Sequence, residues 1–160
     1  MSAAGPEEHF RRGRAALERG RPGEAAAHFN LAVNREKEMR ILRPQMRYIS
    51  FYGLSLALAY GPTHEALAMC EMAAREDPTD PEVHCNLGRV CLMARKTTRA
   101  LAAFEWAIRL DPEDLRPRRL RDRADRRSRP ILPWLGRDHP INWTTGRLRT
   151  ALSRRKEGRR

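Results

Sequence analysis

Three cysteines, five histidines and 29 arginines are the residues of this 160-residue chain best suited to chemistry. Thiols and imidazoles could hold a metal, and guanidiniums could hold an anion. Cys85 and Cys91 lie six apart on one expected helix, a poor spacing for sharing a metal. Together with Cys70 they do not suggest a disulfide framework. No glycine-rich phosphate loop, metal-spaced cluster or nucleophile in a recognised setting is present. The sequence therefore predicts no enzyme, no cofactor, no metal and no small-molecule substrate. The cationic groups remain, and they are unevenly spread. Residues 1–112 hold 16 basic and 14 acidic residues, whereas residues 113–160 hold 16 and 6. The first stretch is nearly neutral and the second carries +10.

The elements that position these groups follow from apolar spacing. Ala16, Ala25, Ala26, Ala32 and Val33 recur at helical intervals, as do Leu101, Phe104, Ala107 and Ile108. Small residues let helices approach closely and large ones fill the remaining space. Asp77-Pro78 and Asp111-Pro112 stop helices, because proline disfavours helix in its predecessor and donates no hydrogen bond. Asp80-Pro81 starts one, with a capping carboxylate and a first-turn proline. The pattern predicts six helices near 7–19, 23–39, 45–60, 63–76, 81–94 and 97–110. No convincing run of alternating strands is found.

The helices form a repeat. Pro81 to Pro112 carries Leu87-Gly88, Ala100, Phe104, Ala107 and Pro112 at fixed offsets. The 16-residue step from Gly88 to Phe104 recurs from Gly13 to Phe29, with Ala25 and Ala32 in register and Gly20 at the turn. A degraded copy runs through Gly53, Ala66, Cys70, Ala73 and Pro78. Its Gly-to-Ala step is one residue longer, and the turn near Gly61-Pro62 is expected to absorb the excess. The longer interval from Gly13 to Gly53 predicts a longer second helix plus loop through 34–45. This pattern resembles the tetratricopeptide repeat (TPR), a helix–turn–helix unit of about 34 residues. The resemblance covers roughly residues 6–112. It implies an all-α solenoid of three helix pairs, because one such unit cannot bury its own apolar face.

In that family the first helix of each pair lines a concave groove. The resemblance therefore places Phe10 and Arg14, Arg47 and Leu54, and Cys85, Arg89 and Met93 in a protein-binding groove. Glu7, Leu17, Glu18, Ser50, Ala57, Leu58, Glu82 and Leu92 share those faces. Cys85 is expected to project into the groove, exposed. Three arginines stand among these 15 positions, against about 2.7 expected from composition, so numbers alone mark no acidic-peptide clamp. Phe10 and Arg14 stand where the chaperone-tail-binding variant of the family needs lysine and asparagine. Cys70 replaces the repeat's aromatic and Cys91 its tyrosine, as small core residues. His9 and His84 stand where the family favours tryptophan, as partly buried packing residues.

Residues 115–127 read as a seventh, capping helix with a thin apolar stripe of Leu115, Leu120 and Ala124. The expected repeat domain is thus 6–127. Residues 128–160 form a basic arm containing prolines and tryptophans. Its Ile131, Leu132, Trp134 and Leu135 are too apolar to remain uncovered, and a short amphipathic helix is expected at 143–155. Arg147, Arg149, Arg154 and Arg155 are its candidate anion contacts. The start lacks a basic and apolar leader, and the most apolar run, 51–60, is half the length of a membrane span. A cytoplasmic location is expected. The reading that follows is an adaptor or assembly scaffold that binds a peptide or helix in the groove. The alternative is a binder of RNA, DNA, a ribosome or an acidic membrane through the arm.

Overall fold

A computed structural model describes residues 4–128. The arm, with its four candidate arginines, lies outside the described residues. Seven helices occupy the described span: α1 (Pro6–Glu18), α2 (Pro22–Glu38), α3 (Met46–Tyr60), α4 (His64–Glu76), α5 (Pro81–Met93), α6 (Thr97–Leu110) and α7 (Leu115–Ser128). Each of the seven helices expected between residues 7 and 127 is present, with ends within a residue or so of the expected bounds; the helix expected at 143–155 lies outside the described residues. Met1–Ala124 form one compact unit and Asp125–Arg160 a second; the first is described below.

The helix starts are chemically explicit. Pro6, Pro22 and Pro81 occupy first-turn positions, where a missing N–H costs nothing. Thr63 Oγ accepts the Ala66 N–H at 3.1 Å, and Asp80 Oδ1 accepts the Glu82 N–H at 2.8 Å. Asp114 Oδ1 accepts the Arg116 N–H at 2.8 Å and so opens α7. Pro117 then fits the first turn of α7, fully buried.

Helices pair in sequence, α1 with α2, α3 with α4 and α5 with α6. The first helices α3 and α5 also pack directly on each other, while α2 and α4 pack against the first helix of the following pair. At two crossings a glycine is obligatory. A Cβ on Gly13 would lie 2.6 Å from the Phe29 ring, and one on Gly88 would lie 2.5 Å from the Phe104 ring. In the degraded copy Cys70 is too small to fill that place. The helices close instead until a Cβ on Gly53 would meet the Ala66 carbonyl at 2.8 Å.

The extra residue of the second copy is not in the turn. All three intra-pair turns are three residues long, at 19–21, 61–63 and 94–96. Instead α3 runs to Tyr60, seven residues past Gly53, whereas α1 and α5 end five past their glycines. The reason lies in the cap. α1 and α5 close with left-handed residues, Gly20 (φ 71°) and Arg95 (φ 59°). There Arg21 N–H bonds Ala16 C=O and Lys96 N–H bonds Cys91 C=O. α3 lacks that closure and ends at Gly61, whose φ of 95° and ψ of 165° lie outside the left-handed helical region, with its N–H bonded to Ala57 C=O. The long first interval falls where expected, on a 17-residue α2 and the 39–45 loop.

Two cores result. One is aromatic: Phe10, Phe29, Tyr48 and Phe51 cluster with ring centroids 4.7–5.5 Å apart. The other packs Leu54, Leu67, Val90, Cys70 and Cys91 around the single ring of Phe104. Leu120 of α7 packs against it. Cys70 and Cys91 are the small core residues expected, and burial pushes the Cys70 thiol up to about 12.

Candidate functional site

The first helices carry the functional candidates. α3 and α5 lie side by side, and α7 closes their end with Arg116, Arg119 and Leu120. Between them is a concave pocket of about 400 Å³, lined by Phe51, Glu82, Cys85, Asn86, Arg89, Arg116, Arg119 and Leu120. Its floor is held by a buried bond: Asn86 Nδ2 donates to Ser50 Oγ at 3.2 Å, joining α5 to α3. The arrangement offers guanidiniums on a partly apolar wall, which suits anion recognition beside apolar contact.

Glu82, near the start of α5, is the electrostatic hub. Arg14 from α1, Arg47 from α3 and Arg116 from α7 lie 3.6, 3.7 and 3.4 Å from its carboxylate. Two of these arginines have shorter bonds elsewhere. Arg47 Nε donates to Asp80 Oδ2 at 2.7 Å, and Arg116 pairs with Asp114 at 2.8 Å. Donating hydrogen bonds to Asp114 raises the Arg116 pKa, and the Arg116 guanidinium holds the Asp114 carboxyl below its usual range. Arg14 also sits over the Phe51 ring at 5.8 Å.

Arg89 differs. It occupies the place in its repeat that Arg14 occupies in the first and is half-buried as Arg14 is, but it lines the pocket. Among the described residues neither Arg89 nor Arg119 has an ion-pair or hydrogen-bond partner. Burial lowers the Arg89 pKa, partly offset by nearby Cys85. A guanidinium in a concave, poorly solvated place without a counter-charge is a standing demand for an anion.

Two expected groove contacts are corrected. Phe10 and Leu54 are core residues, 4% and 0% exposed. Phe10 is drawn into the aromatic cluster by Tyr48 and Phe51, and Leu54 into the contact with α4 and α5. Cys85 is likewise buried rather than exposed, although it lines the pocket. Burial pushes its thiol up to about 11, so it is no nucleophile near neutral pH. Met93 packs partly buried against the second core. His9 and His84 are packing residues: His9 lies 6.0 Å from His28, and His84 stacks on Trp106 with Nε2 2.9 Å from the Pro78 carbonyl. Among the described residues no cluster of three or more metal-ligating side chains exists.

Sequence reasoning missed several contacts. Tyr48 Oη donates to Glu7 at 2.7 Å across 41 residues. Glu36, 3% exposed, accepts the Gln45 N–H at the start of α3, and burial raises its pKa. Neither pairing has a local signature. The place of α7 in the pocket was also unseen. A second surface was legible but unread. Leu31, Met72 and Trp106 stand two residues past Phe29, Cys70 and Phe104, one on each second helix, all exposed at 36–52%.

Comparison with known proteins bears on the fold. The tetratricopeptide repeat family model matches residues 3–38 and 55–114, more than half of the chain. The unmatched stretch is the long α2–α3 connection and the first half of α3. No curated protein matches the sequence significantly. Among solved structures, the TPR domain of Arabidopsis OM64 superposes with a TM-score of 0.60 at 16% identity, over 76% of this chain and 94% of that one. The Sgt2 TPR domain from Aspergillus fumigatus gives 0.61 at 17% identity, over 76% and 77%. At such identities the likeness speaks for the fold alone. Sequence pattern, helix pairing and superposition agree, and the chain belongs to the tetratricopeptide repeat family.

Proposed function

We propose that this protein is a non-enzymatic adaptor or assembly scaffold that binds a peptide or helix of a protein partner along the groove of α1, α3, α5 and α7. Repeats of this family are protein–protein interaction modules in general. The observation that carries the finer reading is the pocket at Arg89. It combines a half-buried, unpartnered guanidinium with the apolar faces of Phe51 and Leu120. Such a site gives orientation through charge and affinity through apolar contact. A cytoplasmic location belongs to the same reading. Among the described residues no helix is long and apolar enough to cross a membrane.

A displayed peptide library selected on the full chain tests it. Leu58, exposed on α3, changed to Asp should abolish binding of the selected peptides. Leu31→Asp, on α2, should leave it unchanged. Loss with Leu31→Asp and retention with Leu58→Asp would move the binding surface to the second helices.

A further inference from the structure

We infer that the groove recognises an acidic side chain of an extended peptide, and that Glu82 is the internal stand-in such a ligand displaces. This rests on the docking reading above and names the chemistry of its partner.

The first argument is the state of Glu82. Its side chain is 14% exposed, and guanidiniums from three helices surround it at 3.4–3.7 Å. A committed charge-assisted bond is shorter, about 2.7–2.9 Å. The two arginines that have such bonds make them to Asp80 and Asp114. Glu82 is therefore shared loosely by Arg14 and by two arginines whose main partners are elsewhere. Releasing it costs little, and it leaves Asp80 and Asp114 in place as helix caps.

The second argument is the charge count of the site. Arg14, Arg47, Arg89, Arg116 and Arg119 face Glu82, Asp80 and Asp114. Two positive charges are uncompensated, and one of them, Arg89, is half-buried. In a concave site the effective dielectric falls below that of water, so each unpaired charge attracts more strongly than a surface arginine does. A carboxylate placed at Arg89 lies in the same pocket as Arg116, one of the three guanidiniums that now share Glu82.

The third argument is size. About 400 Å³ is near the lower end of ligand-binding cavities. It admits one or two side chains and not a folded element. Phe51 and Leu120 would flank the methylenes of an aspartate or glutamate and an apolar neighbour. A lysine-rich segment would meet like charge.

The test uses the full chain and three fluorescent ten-residue peptides with amidated C-termini. Each alternates leucine with glutamate, glutamine or lysine, so no terminal carboxylate contributes. The glutamate peptide should bind at least tenfold more tightly than the glutamine one, and the lysine peptide should not bind. Arg89→Ala should weaken the glutamate peptide about tenfold, and Glu82→Gln should tighten it several-fold. Arg75→Ala, on the outer helix α4, should change neither. Melting curves accompany each variant, and exposed Arg119→Ala replaces any that unfolds early. Equal affinity for glutamate and glutamine peptides, no effect of Arg89→Ala, weakening by Glu82→Gln, or no glutamate binding at millimolar concentration would each overturn the inference. If the glutamine peptide binds as well and Leu58→Asp abolishes that binding, groove docking stands and the acidic preference falls. If no groove variant alters any peptide, the docking reading falls with it.

Discussion

The two ends of the groove are built on the same repeat yet do different things with the same residue type. At the N-terminal end the arginines are engaged. Arg47 binds Asp80 at 2.7 Å, and Arg14 lies between Glu82 and the face of Phe51. Beneath them four aromatic rings fill the core. At the C-terminal end Arg89 and Arg119 have no carboxylate partner among the described residues, and the core beneath is thiols and small aliphatics around one ring. One end is arranged for stability and the other holds unmet charge. Equivalent positions in a solenoid share a backbone but not an environment, so a repeat pattern locates a groove without saying which part of it is vacant.

The largest expected effect concerns the cores. Phe104→Ala should cost about 3–5 kcal/mol in urea unfolding, because no neighbouring ring can fall into the cavity. A loss below about 1 kcal/mol would break the contrast between one ring and four. The next concerns the arginines themselves. Arg47→Ala should cost roughly 1 kcal/mol, since Asp80 is 7% exposed and would lose its partner, while Arg47 itself is 43% exposed. Arg89→Ala should cost nothing or stabilise, having no partner to orphan. Equal losses from the two substitutions would erase the distinction drawn here.

A comparable gain is expected at a turn. Arg95 holds the left-handed conformation that Gly20 holds in the first pair. Arg95→Gly should add about 1 kcal/mol, by removing a Cβ from a backbone region that disfavours it. The smallest effect is in pH. Burial, and then the neighbouring His28, push the His9 pKa down from 6.5. The native state then binds fewer protons than the unfolded one below about pH 6.5, so stability falls as pH drops through that value. Glu36 acts oppositely and at lower pH, because its raised pKa means the native state holds its proton longer. Melting temperatures between pH 7.5 and 6 therefore isolate the histidine, and His9→Gln should flatten the slope.

Most of the fold was legible because it is written in local rules. Glycine at 13 and 88, aromatics 16 residues on, and prolines at the helix starts each act within one pair. The extra residue of the second copy was misassigned to the turn because helix length there depends on a capping closure that Gly61 does not make. The site was half legible. Register placed Arg14, Arg47 and Arg89 on the first helices, and Glu82 beside them. It could not tell that Phe10 and Leu54 sink into the core, because burial is decided by neighbours distant in sequence, such as Tyr48 for Phe10. Nor could it bring Arg116 to Glu82 or Arg119 into the pocket, because a capping helix has no repeat register to read.

The central claim is that the face around Arg89 is where a partner docks. The most direct measurement is a spectrum of the isotope-labelled full chain, backbone amides and arginine Nε–H groups together, as the glutamate–leucine peptide is added. The account predicts that the Arg89 signal moves most, followed by Arg116 and Arg14, with amide shifts gathered on α3, α5 and α7. Shifts centred on Leu31, Met72 and Trp106, with Arg89 unmoved, would contradict it.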